Sequence, residues 1–136
     1  MLKKYSNFIY LNLVATLMTL SSYAFSANDI VIDIHEEQCV VTVSGNSNCD
    51  AGQCAGDSQC VCASKGDHIV WVANNEDPFD LDFGADSPLK ENCGKHAKAG
   101  QQKCVVKTGL ASGDEFVYDI RFEKCDQPAD PRIIIK

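Results

Sequence analysis

The stretch of sequence that decides the fold is Lys65-Gly66-Asp67-His68-Ile69-Val70-Trp71-Val72-Ala73-Asn74-Asn75. The Gly-Asp pair is typical of a tight turn, and the paired asparagines are typical of a strand end. Between them lie six residues, of which the five after His68 are apolar, so that both faces of an extended chain are apolar. Such a run is typical of a strand with both of its faces covered. The stretch therefore predicts a central strand of a β-sandwich.

Six further runs of β-type sequence surround this strand. In the first of them, Ile30, Ile32 and Ile34 alternate with other residues at the period of two that marks a half-buried strand. The six runs span residues 30–34, 39–43, 79–83, 104–107, 116–122 and 133–135. No stretch has apolar residues at helical spacing, and no internal repeat is present. Seven short strands predict an all-β Greek-key sandwich with antiparallel sheets, or a Greek-key barrel.

The first 26 residues have the three parts of a secretory signal peptide. Lys3 and Lys4 give a positive start, residues 9–20 are mostly apolar, and Ala24-Phe25-Ser26 supplies small residues for cleavage. The apolar run is shorter than the roughly 20 residues that a membrane-spanning helix needs. We therefore predict cleavage after Ser26, or one residue later, and export to the periplasm or beyond. Residues 27–136 then form a single domain without a transmembrane segment.

The exported chain is strongly acidic. The full sequence has 12 Lys and Arg and 19 Asp and Glu, and without the two signal lysines the formal net charge is −9. Such a surface repels phosphates, so the composition argues against nucleic acid or an anionic membrane as the main partner. An apolar fraction of 45% is too high for a disordered chain.

Eight cysteines follow the signal peptide, an even number at high density in an exported chain, which predicts four disulfides. Cys60 and Cys62 point to the same side of an extended segment and therefore pair with different partners. Cys93 and Cys104 bracket one long loop and are predicted to close it, whereas the remaining connectivity stays open. A zinc site made from Cys60, Cys62, Cys93 and His96 is the alternative, although structural zinc sites normally separate paired cysteines by two to four residues. The cysteines are Cys39, Cys49, Cys54, Cys60, Cys62, Cys93, Cys104 and Cys125.

The order of these segments resembles the cupredoxin family. Residues 65–75 look like the cupredoxin strand that follows a Lys/Gly/Asp turn and ends in Asn, and residues 105–125 resemble the penultimate strand that delivers the copper thiolate. Residues 133–135 match the closing strand, and the ending 130–135 is similar to small exported bacterial cupredoxin-like proteins. The resemblance covers residues 64–136. It implies a cupredoxin-like scaffold in a bacterial protein.

The same resemblance implies that the blue-copper site is missing. That site needs two imidazoles, a thiolate and a weak axial ligand, usually Met. The first His would fall near Phe79 and Asp80, where the sequence has none, and neither a His nor a Met follows Cys125. Both methionines, Met1 and Met18, lie in the signal peptide. We therefore predict no cofactor and no metal ligands.

No catalytic motif stands out, and the sequence predicts a protein that is not an enzyme. His35 and His68 are interpreted as surface or strand-edge residues. Asp80 and Asp82 share one face of a strand, which is more typical of a solvated face than of an acid–base pair.

Basic residues concentrate in one long loop, residues 84–103, of this acidic chain. Because loops on a rigid scaffold commonly carry recognition, we predict a binding module that uses this loop together with loop 44–60 and takes a protein or small-molecule partner. Metal handling is the alternative, with some reduced cysteines joining His96 or His68 as copper or zinc ligands. The candidate contact residues are Lys90, Lys95, His96, Lys98 and Lys103.

Overall fold

The computed structural model describes residues 25–44 and 49–136. The predicted signal peptide lies outside the described residues up to position 24, as do residues 45–48 of the predicted first loop. In the described part of the chain, none of the helices has the length and apolar character needed to cross a membrane.

The described residues form ten strands and one short 3-10 turn. The turn spans Glu36–Gln38 and joins the first two strands. The strands are β1 (Ile30–His35), β2 (Val40–Val43), β3 (Cys60–Ala63), β4 (His68–Ala73), β5 (Phe79–Asp82), β6 (His96–Ala97), β7 (Gln101–Val105), β8 (Glu115–Val117), β9 (Asp119–Phe122) and β10 (Arg132–Ile135).

The strands form three hydrogen-bonded sheets, ordered β2-β1-β4-β7, β3-β10-β8 and β6-β5-β9. Strand β4 lies between β1 and β7, so the predicted central strand is confirmed. The predicted all-β sandwich is also confirmed, but its sheets are mixed, because β1 pairs with β4 in parallel and β3 pairs with β10 in parallel. Strand direction depends on how distant segments meet, and the alternation of apolar residues carries no information on it.

The strands differ from the prediction in three parts of the chain. Strand β3 was not predicted, because its four residues alternate Cys with Val and Ala beside a glycine-rich loop. The predicted strand 116–122 is two strands interrupted at Tyr118, with β8 in one sheet and β9 in another. The predicted loop 84–103 contains β6 and the first residues of β7. Short strands of this kind are defined by partners that are remote in sequence.

The main core of the described residues combines side chains from the four-stranded sheet and from the two smaller ones. It includes Ile30, Ile69 and Trp71 from the first sheet and Leu81 and Ile133 from the other two. The indole N–H of Trp71 donates a hydrogen bond to the Tyr118 hydroxyl at 2.9 Å, so the polar atoms of both buried rings are satisfied. Burial raises the pKa of Tyr118 above its ordinary value of 10.0.

Four disulfides join the elements, as predicted. Cys93 pairs with Cys104, and Cys60 and Cys62 have different partners. The other connectivity, which the spacing left open, is set by the fold. The four pairs are Cys39–Cys125, Cys49–Cys62, Cys54–Cys60 and Cys93–Cys104.

Candidate ligand-binding cavity

A small apolar cavity lies between strand β5 and the loop that follows it. Its volume is about 180 Å³. Most of the lining is apolar, and the charged residues are Lys90, Glu91 and Lys95 of the loop together with Lys107 beyond it. The lining residues are Leu81, Phe83, Gly84, Ser87, Leu89, Lys90, Glu91, Cys93, Gly94, Lys95 and Lys107.

Three apolar side chains form the floor of the cavity: Leu81 and Phe83 from β5 and the residue after it, and Leu89 from a β-bridge. Leu81 and Phe83 are two residues apart in extended chain and therefore point to the same face. Leu89 is placed by its bridge to Val106. Leu81 and Leu89 are buried, and Phe83 stacks on Tyr118 with ring centroids 4.4 Å apart. The floor is thus continuous with the aromatic core.

The loop over the cavity is fixed at several points. The Lys95 carbonyl accepts a hydrogen bond from the Leu81 amide at 2.7 Å, and the Lys90 amide donates to the Val105 carbonyl at 2.9 Å. The Cys93–Cys104 disulfide ties the middle of the loop to β7. A loop held in this way keeps the cavity shape without a bound ligand, which lowers the entropy cost of binding.

Three lysines surround the cavity and are called here the lysine rim: Lys90, Lys95 and Lys107. The Lys107 ammonium donates a hydrogen bond to the Ser87 carbonyl at 2.7 Å. Within residues 25–44 and 49–136, Lys90 and Lys95 form no ion pair. Glu91 is the one acidic residue among the lining side chains. The cavity therefore combines an apolar interior with a local excess of positive charge.

The structure divides the predicted contact residues into two groups. Lys90 and Lys95 line the cavity, whereas His96, Lys98 and Lys103 do not. His96 lies in β6 and its ring pairs with the Asp80 carboxylate. Lys98 is an exposed turn residue.

Lys103 has a structural contact of its own. Its ammonium lies 2.8 Å from the buried carboxylate of Asp29. The hydrogen bond from Lys103 is the main reason why the pKa of Asp29 is lowered from its ordinary value of 3.8. Lys103 therefore stabilises the fold by pairing with a buried carboxylate.

Sequence reasoning missed Lys107 and the apolar floor as parts of one site. The alternation of Phe79, Leu81 and Phe83 predicts a strand, and it does not indicate that Leu81 and Phe83 form the floor of a cavity. Lys107 lies beyond the loop and reaches the cavity only because β7 folds back beside β4. No local signal in the sequence identifies it.

A second polar feature surrounds Glu36, whose residue is only 4% exposed. One of its carboxylate oxygens, Oε1, has no hydrogen-bond partner in the described chain, and the other lies 4.0 Å from the Lys124 ammonium. Burial, followed by the hydrogen bond and charge of Asp77, raises the pKa of Glu36 to about 7. The Lys124 hydrogen bond, 2.7 Å long, lowers the pKa of Asp77. The two carboxyl groups, of Glu36 and Asp77, thus lie beside one cation, the Lys124 ammonium.

The predicted combinations of cysteine and histidine do not assemble. In the part of the chain that the structure describes, the one group of three or more potential metal ligands in close proximity is Cys49, Cys54 and Cys62, with no His. His35 instead contacts Thr42 and Asn74 through its two ring nitrogens. The zinc alternative with Cys60, Cys62, Cys93 and His96 is not formed, since the three cysteines are in disulfides and His96 pairs with Asp80.

The comparisons with known proteins concern the fold. No model of a protein family matches the chain, and no curated protein is similar to it in sequence. Among solved structures, a reduced mutant of amicyanin is 14% identical over 82% of this chain and 86% of its own, with a TM-score of 0.49. Amicyanin from Paracoccus versutus is 12% identical over 82% and 85%, with a TM-score of 0.46. An oxidised amicyanin mutant is 11% identical over 83% and 86%, with a TM-score of 0.48.

The predicted all-β sandwich is confirmed by its strand pairing, and the cupredoxin-like arrangement stays a prediction. The cysteine at the position where the resemblance places a copper thiolate, Cys125, is bonded to Cys39 in this protein.

Proposed function

We propose that this protein is an exported, non-enzymatic binding module that takes a small carboxylate with an apolar body into the cavity beneath the lysine rim. The observation that carries the proposal is the juxtaposition of an apolar floor with Lys90 and Lys95, which form no ion pair among the described residues of a strongly acidic chain. Ligand sites typically combine an apolar lining with a few polar groups that fix orientation.

The size of the cavity limits the ligand. A volume of about 180 Å³ is below the range of drug-sized sites and close to that of protein cavities that hold one benzene ring. Leu81, Leu89 and Phe83 would contact the apolar body, and Lys90 and Lys95 would pair with the carboxylate. Charge-assisted hydrogen bonds to a lysine ammonium favour an anion over a neutral analogue of the same shape.

Export to the periplasm or beyond is part of the proposal. Four disulfides persist in oxidising compartments and are rare in the cytosol. The signal-like first 26 residues of the sequence support the same location. The assignment to a bacterial periplasm rests on the resemblance of the sequence to cupredoxins.

The proposal is tested by NMR titration of the purified oxidised protein with benzoate, hexanoate and benzyl alcohol. We expect the carboxylates to shift the resonances of residues 81–95 and the neutral alcohol to bind at least about fivefold more weakly. The double variant Lys90→Gln/Lys95→Gln should weaken carboxylate binding by about tenfold. Lys98→Gln is the matched control, because it removes a lysine from the same loop away from the cavity, and it should leave the affinity unchanged.

Two results would contradict the proposal. One is the absence of carboxylate-dependent shifts around the cavity at millimolar ligand. The other is equal weakening in the Lys98→Gln control, which would mean that the protein's overall charge, and not the lysine rim, attracts the anion.

A further inference from the structure

Four cysteines lie together on the outer face of the β3-β10-β8 sheet and are called here the sulfur cluster: Cys49, Cys54, Cys60 and Cys62. Alternation along β3 places Val61 and Ala63 in the main core and the two strand cysteines on the opposite face. There Cys60 and Cys62 are buried against Ile134 of β10, and Cys49 and Cys54 pack beside them. The cluster is separate from the lysine rim and its cavity.

The preceding loop is curled so that its cysteines reach this face. Gly52, Cys54 and Gly56 all have positive φ angles, of 88°, 52° and 75°. Glycine adopts this left-handed conformation at little cost, whereas Cys54 adopts it against its ordinary preference. The result is that Cys54 Sγ lies 3.6 Å from Cys62 Sγ, although each is bonded to a different cysteine.

The sulfur positions approach the geometry of a thiolate metal site. The Sγ atoms of Cys49, Cys54 and Cys62 all lie within 4.8 Å of one another. The Sγ of Cys60 adjoins them through its bond to Cys54. In a tetrahedral zinc–thiolate site with Zn–S bonds of about 2.3 Å, neighbouring sulfurs are about 3.8 Å apart. Opening the two disulfides and moving the sulfurs by about 1 Å would reach that spacing.

Contacts that do not involve sulfur hold the loop in place. Asp57 accepts a hydrogen bond from the Arg132 guanidinium at 2.9 Å, and the Arg132 amide donates to the Gln59 carbonyl at 3.2 Å. Arg132 also pairs with Glu115 on the neighbouring strand at 3.0 Å. Because these contacts anchor the loop to β10 at Asp57 and Gln59, we expect the loop to stay beside the sheet when the disulfides are reduced.

We propose that the sulfur cluster is a redox-gated site for one soft metal ion, Zn²⁺ or Cu(I). Each disulfide accepts two electrons and two protons from a dithiol, which becomes a disulfide, and four thiols result. The metal ion then replaces the thiol protons and binds the thiolates, the ligands that both ions prefer. In the oxidised protein the sulfurs are bonded to one another, and the site is closed to metal.

The test uses full-length exported protein, reduced with a phosphine under anaerobic conditions and titrated with Zn²⁺ alone against a chromophoric chelator. We expect one Zn²⁺ per reduced chain and none in the oxidised protein. The double variant Cys54→Ser/Cys60→Ser should bind Zn²⁺ at least about 100-fold more weakly. Cys93→Ser/Cys104→Ser is the matched control, because it also removes one disulfide, and it should bind like the wild type.

A second measurement holds even where a variant fails to fold. Alkylation of the reduced, Zn²⁺-loaded wild type, followed by peptide mapping, should show protection of the four cluster cysteines and full labelling of Cys39, Cys93, Cys104 and Cys125. Protection spread evenly over all eight cysteines would overturn the proposal, because it would show metal binding by an unfolded chain. Sub-stoichiometric Zn²⁺ binding by the reduced wild type would overturn it as well.

Discussion

At the scale of single residues, the partner of each clustered lysine decides whether the lysine belongs to a binding surface or stabilises the fold. Lys103 and Lys90 are both exposed loop or strand-edge lysines in the sequence pattern. In the structure, Lys103 pairs with Asp29, which is 3% exposed, whereas Lys90 lines the cavity. A buried carboxylate is stable only with a partner, because desolvation penalises an unpaired charge.

We predict that Lys103→Met destabilises the protein without changing carboxylate binding at the cavity. The substitution leaves the buried Asp29 carboxylate without its main partner, at a cost of about 2 kcal/mol in the free energy of unfolding. Urea denaturation at pH 7 measures this cost, with the exposed Lys98→Met as the control. The Asp29→Asn/Lys103→Met double variant should recover part of the stability. Equal stabilities of the Lys103 and Lys98 variants would contradict the prediction.

Glu36 gives the protein a pH dependence at neutral pH. Its pKa is about 7 in the folded protein, against an ordinary value of 4.5. Since the folded state holds a proton that the unfolded chain has lost, stability is lost as pH rises from about 4.5 through 7. Asp77 has the opposite sign, because its lowered pKa makes stability fall as its carboxylate is protonated at acid pH.

We predict that Glu36→Gln removes the neutral-pH loss of stability. Gln cannot ionise and can still donate a hydrogen bond to Asp77. At pH 8 the variant should therefore melt about 5 °C or more above the wild type, and at pH 5 the difference should be small. Thermal denaturation across this pH range measures the effect, with Glu37→Gln as the exposed neighbouring control. A constant difference in melting temperature from pH 5 to pH 8 would rule out Glu36 as the titrating group.

At the scale of elements, a close backbone approach fixes how the end of β4 meets the start of β7. The Gly100 carbonyl accepts a hydrogen bond from the Ala73 amide at 2.7 Å, and Gly100 has a φ angle of +69°. A Cβ at this position would lie 2.5 Å from the backbone of Glu76. Only glycine allows both the left-handed conformation and the approach.

We predict that Gly100→Ala lowers the free energy of unfolding by about 3 kcal/mol, since it adds backbone strain and a backbone clash. Gly109→Ala is the matched control, because an added Cβ there meets no atom within 4 Å and its φ angle is not in the left-handed region. That variant should stay within about 0.5 kcal/mol of the wild type. Chemical denaturation of both variants measures the difference, and a Gly100→Ala protein as stable as the control would show that the two segments separate freely.

At the scale of the whole molecule, the disulfides divide into local and global links. Cys54–Cys60 closes a short segment with a sequence separation of 6, whereas Cys39–Cys125 joins positions that are 86 residues apart. The long link connects the 3-10 turn after β1 to the segment after β9, and it therefore constrains most of the unfolded chain.

We predict that loss of the long link costs more stability than loss of the short one. The loop-entropy relation gives about 4.6 kcal/mol for Cys39→Ser/Cys125→Ser and about 2.3 kcal/mol for Cys54→Ser/Cys60→Ser. Guanidinium denaturation of the two double variants measures the order. If the short link proves the more costly of the two, the sulfur cluster contributes through its native packing and not mainly through the unfolded chain.

Much of the fold could be predicted from local sequence. The all-β class, the central strand at His68–Ala73 and the Cys93–Cys104 pair follow from apolar alternation, turn residues and short separations along the chain. Each of these features depends on neighbours in sequence. The candidate cavity was predicted only in part, since the loop and two of its lysines were identified while Lys107 and the floor were not.

The sequence by itself therefore determined the β-rich class, the number of disulfides and the concentration of positive charge in one loop. Only the tertiary structure decided that β1 and β4 run parallel, that Lys103 pairs with Asp29, and that four cysteines share the outer face of one sheet. The physical reason is that periodicity and composition report the environment of a residue, buried or exposed. Its partner is selected by strand pairing between segments that lie far apart along the chain.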